Sequence, residues 1–354
     1  MPSIANRYDN QQTEWGKFAM LRPILIAGVA MLTAFPVYAD DFYAGKTVTI
    51  VTSTGPGGSY DLMARLVAAH MPSHLPGAPT MIVQNMPGAG HVLATNYMYA
   101  IAPKDGTAIA TVDNIIPLHQ MLEGQGVHYD AGKFNWLGST GPENSVAFTW
   151  AASGIKTVDD AKKREVILGA TGAGSSTIIY ATIMNNLLGT KFKIVTGYKS
   201  ASEVYLAIQK GELESTTGSY SSLTTKYQDW LSNKSINIIA QMGLERETDL
   251  ADVPLLTELA KTDEAKQIMK LFSSPLALGQ PYLAPPDVPA DRVALLRTAL
   301  AATFKDPAFI ADAKKAKFDV EPTSADEVTK IVNETTHTPA EVIARAKVAM
   351  TPAQ

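Results

Sequence analysis

From residue 46 onward, short β-branched runs alternate with stretches whose apolar positions recur at helical spacing. Residues 46–53 (KTVTIVTS) predict a strand. Residues 60–71 predict a helix with Leu62, Leu66 and Ala69 on one face, broken by Pro72 and by Pro76-Gly77. A second strand is expected at 80–84 (TMIVQ). The turn Pro87-Gly88-Ala89-Gly90 then opens a helix over 91–101, and 107–112 (TAIATV) reads as a third strand. This β-α-β-α-β order is that of a parallel sheet with helical crossovers.

The same grammar returns later in the chain. Residues 165–170 (EVILGA) predict a strand, and TGAGSST turns into a helix over 176–188. That helix carries Ile179, Ile183, Met184 and Leu187 on one face and is stopped by Gly189. Strands follow at 192–196 and 236–241, with a helix over 202–210 between them and a strand-like 214–217. The stretch 134–150 between the two α/β units reads as extended, and the tail from Pro289 as helical. The pattern therefore predicts two successive α/β lobes: lobe 1 at 40–140, with the mostly helical 245–354 returning to it, and lobe 2 at 141–244.

Composition narrows the class. The 354 residues, 46% of them hydrophobic and 18% charged, suit a globular chain with substantial cores. A net charge of −4 with no dense Lys/Arg run argues against a nucleic-acid partner. Cysteine is absent, which excludes disulfides, thiol catalysis, cysteine–zinc sites and a lipidated cysteine anchor. At the N-terminus, Lys17 and Arg22 precede an apolar run over 24–35 that is short for a bilayer span. It ends in Val37-Tyr38-Ala39, so residues 1–39 are expected to be a signal peptide cleaved after Ala39, with Met20 an alternative start. The mature chain is expected to be a periplasmic monomer.

Each predicted lobe places a glycine-rich turn between a strand and a helix. The first runs Thr54-Gly-Pro-Gly-Gly-Ser-Tyr-Asp61, the second Thr171-Gly-Ala-Gly-Ser-Ser-Thr177. Glycine lets a ligand approach the main chain, and the first N–H groups of a helix have no intrahelical partner. Together with the helix dipole they favour an anion. In open α/β sheets ligands sit beyond the carboxyl ends of the strands, so two facing lobes bring both turns to one cleft. Neither turn has the lysine of a Walker loop, and Thr177 stands where a dinucleotide fingerprint needs its third glycine. A carboxylate held by neutral donors fits better than a phosphate. Asp61 falls in the first helical turn, and its charge is expected to fold back on local N–H groups and shape the turn.

Catalytic patterns are incomplete. Gly57-Gly-Ser59-Tyr-Asp61 lacks the last glycine of a nucleophile elbow. The six histidines form no triad signature. His70 and His74 are separated by Pro72, and no third zinc ligand is nearby. His91, at a helix start, reads as a surface residue, with a place near the cleft as the alternative, and nothing pairs Glu143 with Glu203. No cofactor and no metal are expected. A secreted hydrolase or lyase acting on a carboxylated substrate through Ser175, and a ligand sensor for a membrane kinase, stay open as alternatives to a binding protein.

In order and spacing, GPGGSYDLMARL, VQNMPGAG, APKDGT, LGATGAGSST, GYKSASEVYLAIQKGEL and FDVEPTSADEV resemble the Bug-type periplasmic receptors of tripartite tricarboxylate transporters. The resemblance spans nearly the whole mature chain. It implies a two-lobed fold of the type II periplasmic-binding-protein kind, each lobe a mainly parallel sheet flanked by helices, with a hinge between. It also implies a small carboxylate ligand, a di- or tricarboxylate or an aromatic acid, handed to two membrane subunits. Lobe 1 is then expected to bind it through Ser53, Thr54, Gly57, Gly58, Ser59 and Asn114. Lobe 2 is expected to add Thr171, Ser175, Ser176 and Thr177, with Ser219 and Tyr220 on the far wall. Thr54, His91 and Ser200 depart from the residues common in the family, so no one member's substrate carries over.

Overall fold

The computed structural model describes residues 42–124, 126–172 and 175–351; the expected signal peptide and its cleavage site lie outside them. Among the described residues, ten strands form two five-stranded sheets. In chain order they are β1 (Thr47–Thr52), β2 (Thr80–Asn85), β3 (Ala108–Thr111), β4 (Asn135–Ser139), β5 (Ser145–Trp150), β6 (Val166–Gly169), β7 (Phe192–Val195), β8 (Ser215–Ser219), β9 (Ile236–Met242) and β10 (Pro281–Ala284). The first sheet has the order β2-β1-β3-β10-β4 and the second β7-β6-β8-β5-β9.

The two sheets are built alike. β1 pairs in parallel with β2 and β3, and β10 runs antiparallel to both β3 and β4. Likewise β6 pairs in parallel with β7 and β8, and β5 runs antiparallel to β8 and β9. In each lobe the one reversed strand is the one that enters from the other lobe. The extended stretch 134–150 is therefore two strands on different sheets, joined by a hinge segment at 140–144.

Both faces of the first sheet are covered, as a parallel sheet requires. β1 sends Val48 and Ile50 toward one helical layer and Val51 toward the other. Helix Ser59–His70 buries Met63, Ala64 and Val67 on this sheet. Its inward stripe is rotated by about one position from the expected Leu62, Leu66 and Ala69. Leu62 and Leu66 flank the contact half-buried and Ala69 is exposed, because Met63 and Val67 occupy the space above Ile50. Helix Ser176–Ile183 continues as a wider turn over Met184–Leu188 and stops at Gly189, which takes the left-handed conformation with φ 76°.

The tail divides between the two cores. Helices Ala290–Thr303 and Pro307–Lys315 pack with the first sheet through Leu296, Leu300, Phe309 and Ala313. Helices Asp263–Ser273 and Ala340–Met350 instead contribute Met269, Phe272, Ile343 and Ala346 to the core that holds β6. The expected wholesale return of 245–354 to the first lobe is thus split by these apolar faces.

Candidate functional site

β1 ends at Thr52, and the chain turns through Gly57 and Gly58 into helix Ser59–His70. Gly58 is the N-cap residue, and no side chain caps this helix start. The turn is braced from below. Asp61 accepts from Gly57 N at 2.8 Å, from Arg65 Nε at 3.1 Å and Nη2 at 2.9 Å, and from Asn85 Nδ2 at 2.8 Å. Burial works to raise the Asp61 pKa, but these donors outweigh it and hold the carboxyl below its usual range.

The second lobe repeats the device. Ser175 is the N-cap residue of helix Ser176–Ile183, again without a side-chain cap bond. Ser175 Oγ turns inward to Gly172 O and to Thr177 Oγ1, both at 2.7 Å. Thr177 Oγ1 in turn accepts from Thr171 N at 3.2 Å. Two helix starts with unclaimed amides therefore converge, one from each lobe.

Between them lies a cavity of ≈ 80 Å³. Thr54, Gly58, Ser59, Asn114, Thr171, Ser176, Thr177 and Ser219 all line it. The lobes touch around it. Ser176 Oγ donates to Asp113 Oδ2 at 3.0 Å, and Gly57 O accepts from Ser202 Oγ at 3.2 Å and Lys226 Nζ at 3.1 Å. Gly172 packs so closely on Gly90 that an added Cβ would stand 2.5 Å from Gly90 N.

Ionisable groups on the wall include His91, Asp113, Glu143 and Tyr60. His91 is buried, with its Nδ1 2.9 Å from Ser53 Oγ and its Nε2 3.2 Å from Asp113 Oδ2. Asp113 also accepts from Ile115 N at 3.0 Å, so its oxygens are fully engaged. Glu143, in the hinge segment, accepts from Ser221 Oγ at 2.6 Å and Gln280 Nε2 at 3.2 Å. Burial pushes its pKa up to about 7 against the pull of these two donors, with the Glu247 carboxylate adding to the rise. Tyr60 OH donates to Gly279 O at 3.4 Å; burial and the nearby Asp113 and Glu143 charges keep it a neutral phenol.

Residues 63–348 match the family model described as the tripartite tricarboxylate transporter family receptor. The chain belongs to that family. A UPF0065 protein from Cupriavidus necator, encoded in the gbd 5'region, is 27% identical over 236 residues, covering 64% of this chain and 69% of that one. Among solved structures, periplasmic binding protein BugD superposes with a TM-score of 0.69 at 20% identity, over 86% of this chain and 98% of its own. MatC from Rhodopseudomonas palustris with bound malate superposes with 0.67 at 18% identity, over 87% and 100%. These likenesses are of fold: two α/β lobes with a hinge.

Within this family member, eight of the twelve expected ligand-binding residues share the cavity wall and four do not. Ser53 lies behind the wall, 2% exposed and bonded to His91. Gly57 is off the wall with its N–H committed to Asp61. Ser175 is fully buried under its own turn. Tyr220 faces the hinge side, where its OH donates to Asp249 Oδ2 at 2.6 Å. His91 is not the surface residue expected. The left-handed backbone at His91, φ 75°, turns its ring into the protein to join the ends of β1 and β3. Glu203, expected to have no link with Glu143, accepts from Lys199 N at its own helix start. Tyr60, Asp113, Glu143, Ser145, Lys199 and Ser222 also line the cavity. Asp113 alone carried a local signal, as the neighbour of Asn114 just past β3.

Proposed function

We propose that this chain is a periplasmic solute-binding receptor that captures a small carboxylate between its lobes and delivers it to two membrane subunits of a tripartite transporter. One observation carries the reading: two helix starts without side-chain caps, one from each lobe, face the same cavity. Each offers amides that no N-cap side chain claims (at Gly58 and Ser59; at Ser176 and Thr177), donors that suit a carboxylate. Thr54, Asn114, Thr171 and Ser219 complete the proposed wall. MatC, of the same fold, holds malate, which supports a carboxylate here. Family membership supports the transporter partner. Among the described residues no helix is long and apolar enough to cross a membrane. Export is assigned to the N-terminal segment, with cleavage after Ala39. Lobe 1 is taken as 40–140 and lobe 2 as 141–244, with 245–354 shared between their cores.

The test is a thermal-shift screen of the mature protein against di- and tricarboxylates, aromatic acids, amino acids, sugars and cations. A ligand at about a hundred times its dissociation constant adds about 2.7 kcal/mol of stability. Stabilisation by a sugar or a cation and by no carboxylate would overturn the reading.

One feature favours turnover as a second reading: Ser53, His91 and Asp113 form a hydroxyl–imidazole–carboxylate series. Ser53 is buried and off this cavity's wall, and lines instead an adjoining pocket together with His91 and Thr171. Mass spectrometry of a stabilising ligand after overnight incubation decides the matter. An unchanged ligand supports the receptor. Conversion that is lost in Ser53→Ala supports an enzyme.

A further inference from the structure

The order of strands gives the cavity two unlike ends. Along the second sheet, β7, β6, β8 and β5 lie side by side. Their cleft ends lead in turn to Lys199, to Thr171–Thr177, to Ser219 and to Ser145 beside Glu143. Neighbouring strands are about 4.8 Å apart, so three spacings put the end of β7, which leads to Lys199, roughly 14 Å from the start of β5. The first sheet runs the same way, from His91 past the Gly58 turn and Asp113 to Glu143. Lysine and the free amides thus occupy one end and the middle, and a carboxylate closes the other.

Among the described residues, Glu143 is the acidic group on this wall that no basic side chain contacts. Asp113 has His91 beside it and spends its oxygens on Ile115 N and Ser176 Oγ. Both partners of Glu143, Ser221 Oγ and Gln280 Nε2, are neutral donors that orient it as an acceptor, and the charge acting on it is another carboxylate, Glu247. Glu143 is half-buried, and its open surface faces the cavity on one side and a hinge-side pocket on the other. A carboxylate placed so calls for a cation supplied by the ligand. A second ligand carboxylate at this end meets like charge instead.

We infer that the ligand is an ω-amino carboxylate, its carboxylate held by the two turns and its ammonium paired with Glu143. The charges must stand apart because about two strand spacings separate the Thr171–Thr177 turn from Glu143. This inference rests on the carboxylate reading above and narrows it against di- and tricarboxylates.

Isothermal titration of the full mature chain at pH 8 with 4-aminobutanoate, 5-aminopentanoate, glutarate and pentanoate tests it. At least one amino acid is expected to bind ten-fold or more tightly than glutarate. Glu143→Gln, which keeps shape and one acceptor, is expected to erase that preference. Equal or tighter binding of glutarate by the wild type overturns the inference while sparing the carboxylate reading. So does an unchanged preference in Glu143→Gln. Should none of the four acids bind while a sugar or inorganic cation does, the carboxylate reading falls and takes the inference with it. If the variant fails to fold, the wild-type comparison decides alone.

Discussion

Asp113 Oδ2 lies 3.2 Å from His91 Nε2 and accepts from Ser176 Oγ across the cleft at 3.0 Å. One carboxylate oxygen thus joins the imidazole that fixes it to the helix start that closes over the cavity. The other oxygen is held by Ile115 N, so the carboxylate cannot swing away. A hydrogen bond to a charged group contributes about 1.5–3 kcal/mol. Ser176→Ala removes this bond and a wall hydroxyl together. Ligand affinity is expected to fall about ten-fold or more, with little change in the unfolding midpoint of the free protein, since each lobe keeps its own core. Calorimetric titration beside thermal unfolding separates the two; unchanged affinity would show that closure does not depend on this contact.

Asp61 is not on the cavity wall, and we propose that it serves stability rather than ligand contact. Its side chain is 3% exposed and gathers Gly57 N, Arg65 and Asn85. Asp61→Ala leaves Gly57 N and Asn85 unanswered and is expected to cost about 1–3 kcal/mol. The pH sign follows from its depressed pKa. The folded carboxyl holds its charge to lower pH than the unfolded one, so its contribution is complete above the ordinary value of 3.8 and is lost as pH falls through the folded value. Urea midpoints from pH 2 to 7 should therefore drop less on acidification in Asp61→Ala than in the wild type. Equal slopes would mean the carboxylate is not what holds the turn.

How far these features were legible follows from where their causes lie. The two turns declare themselves locally, because glycines and hydroxyls between a strand and a helix expose amides whatever the rest of the chain does. The parallel strands are legible for the same reason: every residue of β1, from Thr47 to Thr52, is β-branched. The division of 134–150 into two strands was not, because β4 is defined by pairing with β10, at Trp136↔Leu283 and Gly138↔Tyr282, far away in sequence. His91 was misread for a related reason. Its burial depends on the end of β3 supplying Asp113, and no nearby residue announces that. Glu143 sits in the hinge segment, and only the meeting of two lobes puts it on a cavity wall.

Three glycine and serine positions separate steric from hydrogen-bonding roles. A side chain added at Gly58 meets nothing within 4 Å, and the residue lines the cavity with an ordinary φ of −83°. Gly58→Val is thus expected to fold normally and to abolish binding by occupying the ligand's place. Gly172→Ala places a methyl 2.5 Å from Gly90 N, so it holds the lobes apart and should weaken binding without loss of free-state stability. Ser59→Ala deletes one hydroxyl and is expected to weaken binding only a few-fold. Ligand-induced shifts in melting temperature rank the three. A larger loss in Ser59→Ala than in Gly58→Val would mean the hydroxyl matters more than the exposed backbone.

Glu143 should leave a signature in stability even without ligand. Burial, with Glu247 adding to it, raises its pKa from 4.5 to about 7, although Ser221 and Gln280 pull the other way. Between those values the folded protein keeps a proton that the unfolded chain has released. Stability therefore decreases as pH rises through this window, by at most about 3 kcal/mol at 1.36 kcal/mol per unit. Glu247, raised by its own burial and by Asp249 despite the Asn144 N–H it accepts, contributes with the same sign. Glu143→Gln has no proton to lose, so its urea midpoint should exceed that of the wild type at pH 8, with the gap narrowing toward pH 5. A gap that widens toward pH 5 would mean the folded protein favours the charged carboxylate, and Glu143 would then have a cationic partner that stabilises it before any ligand arrives.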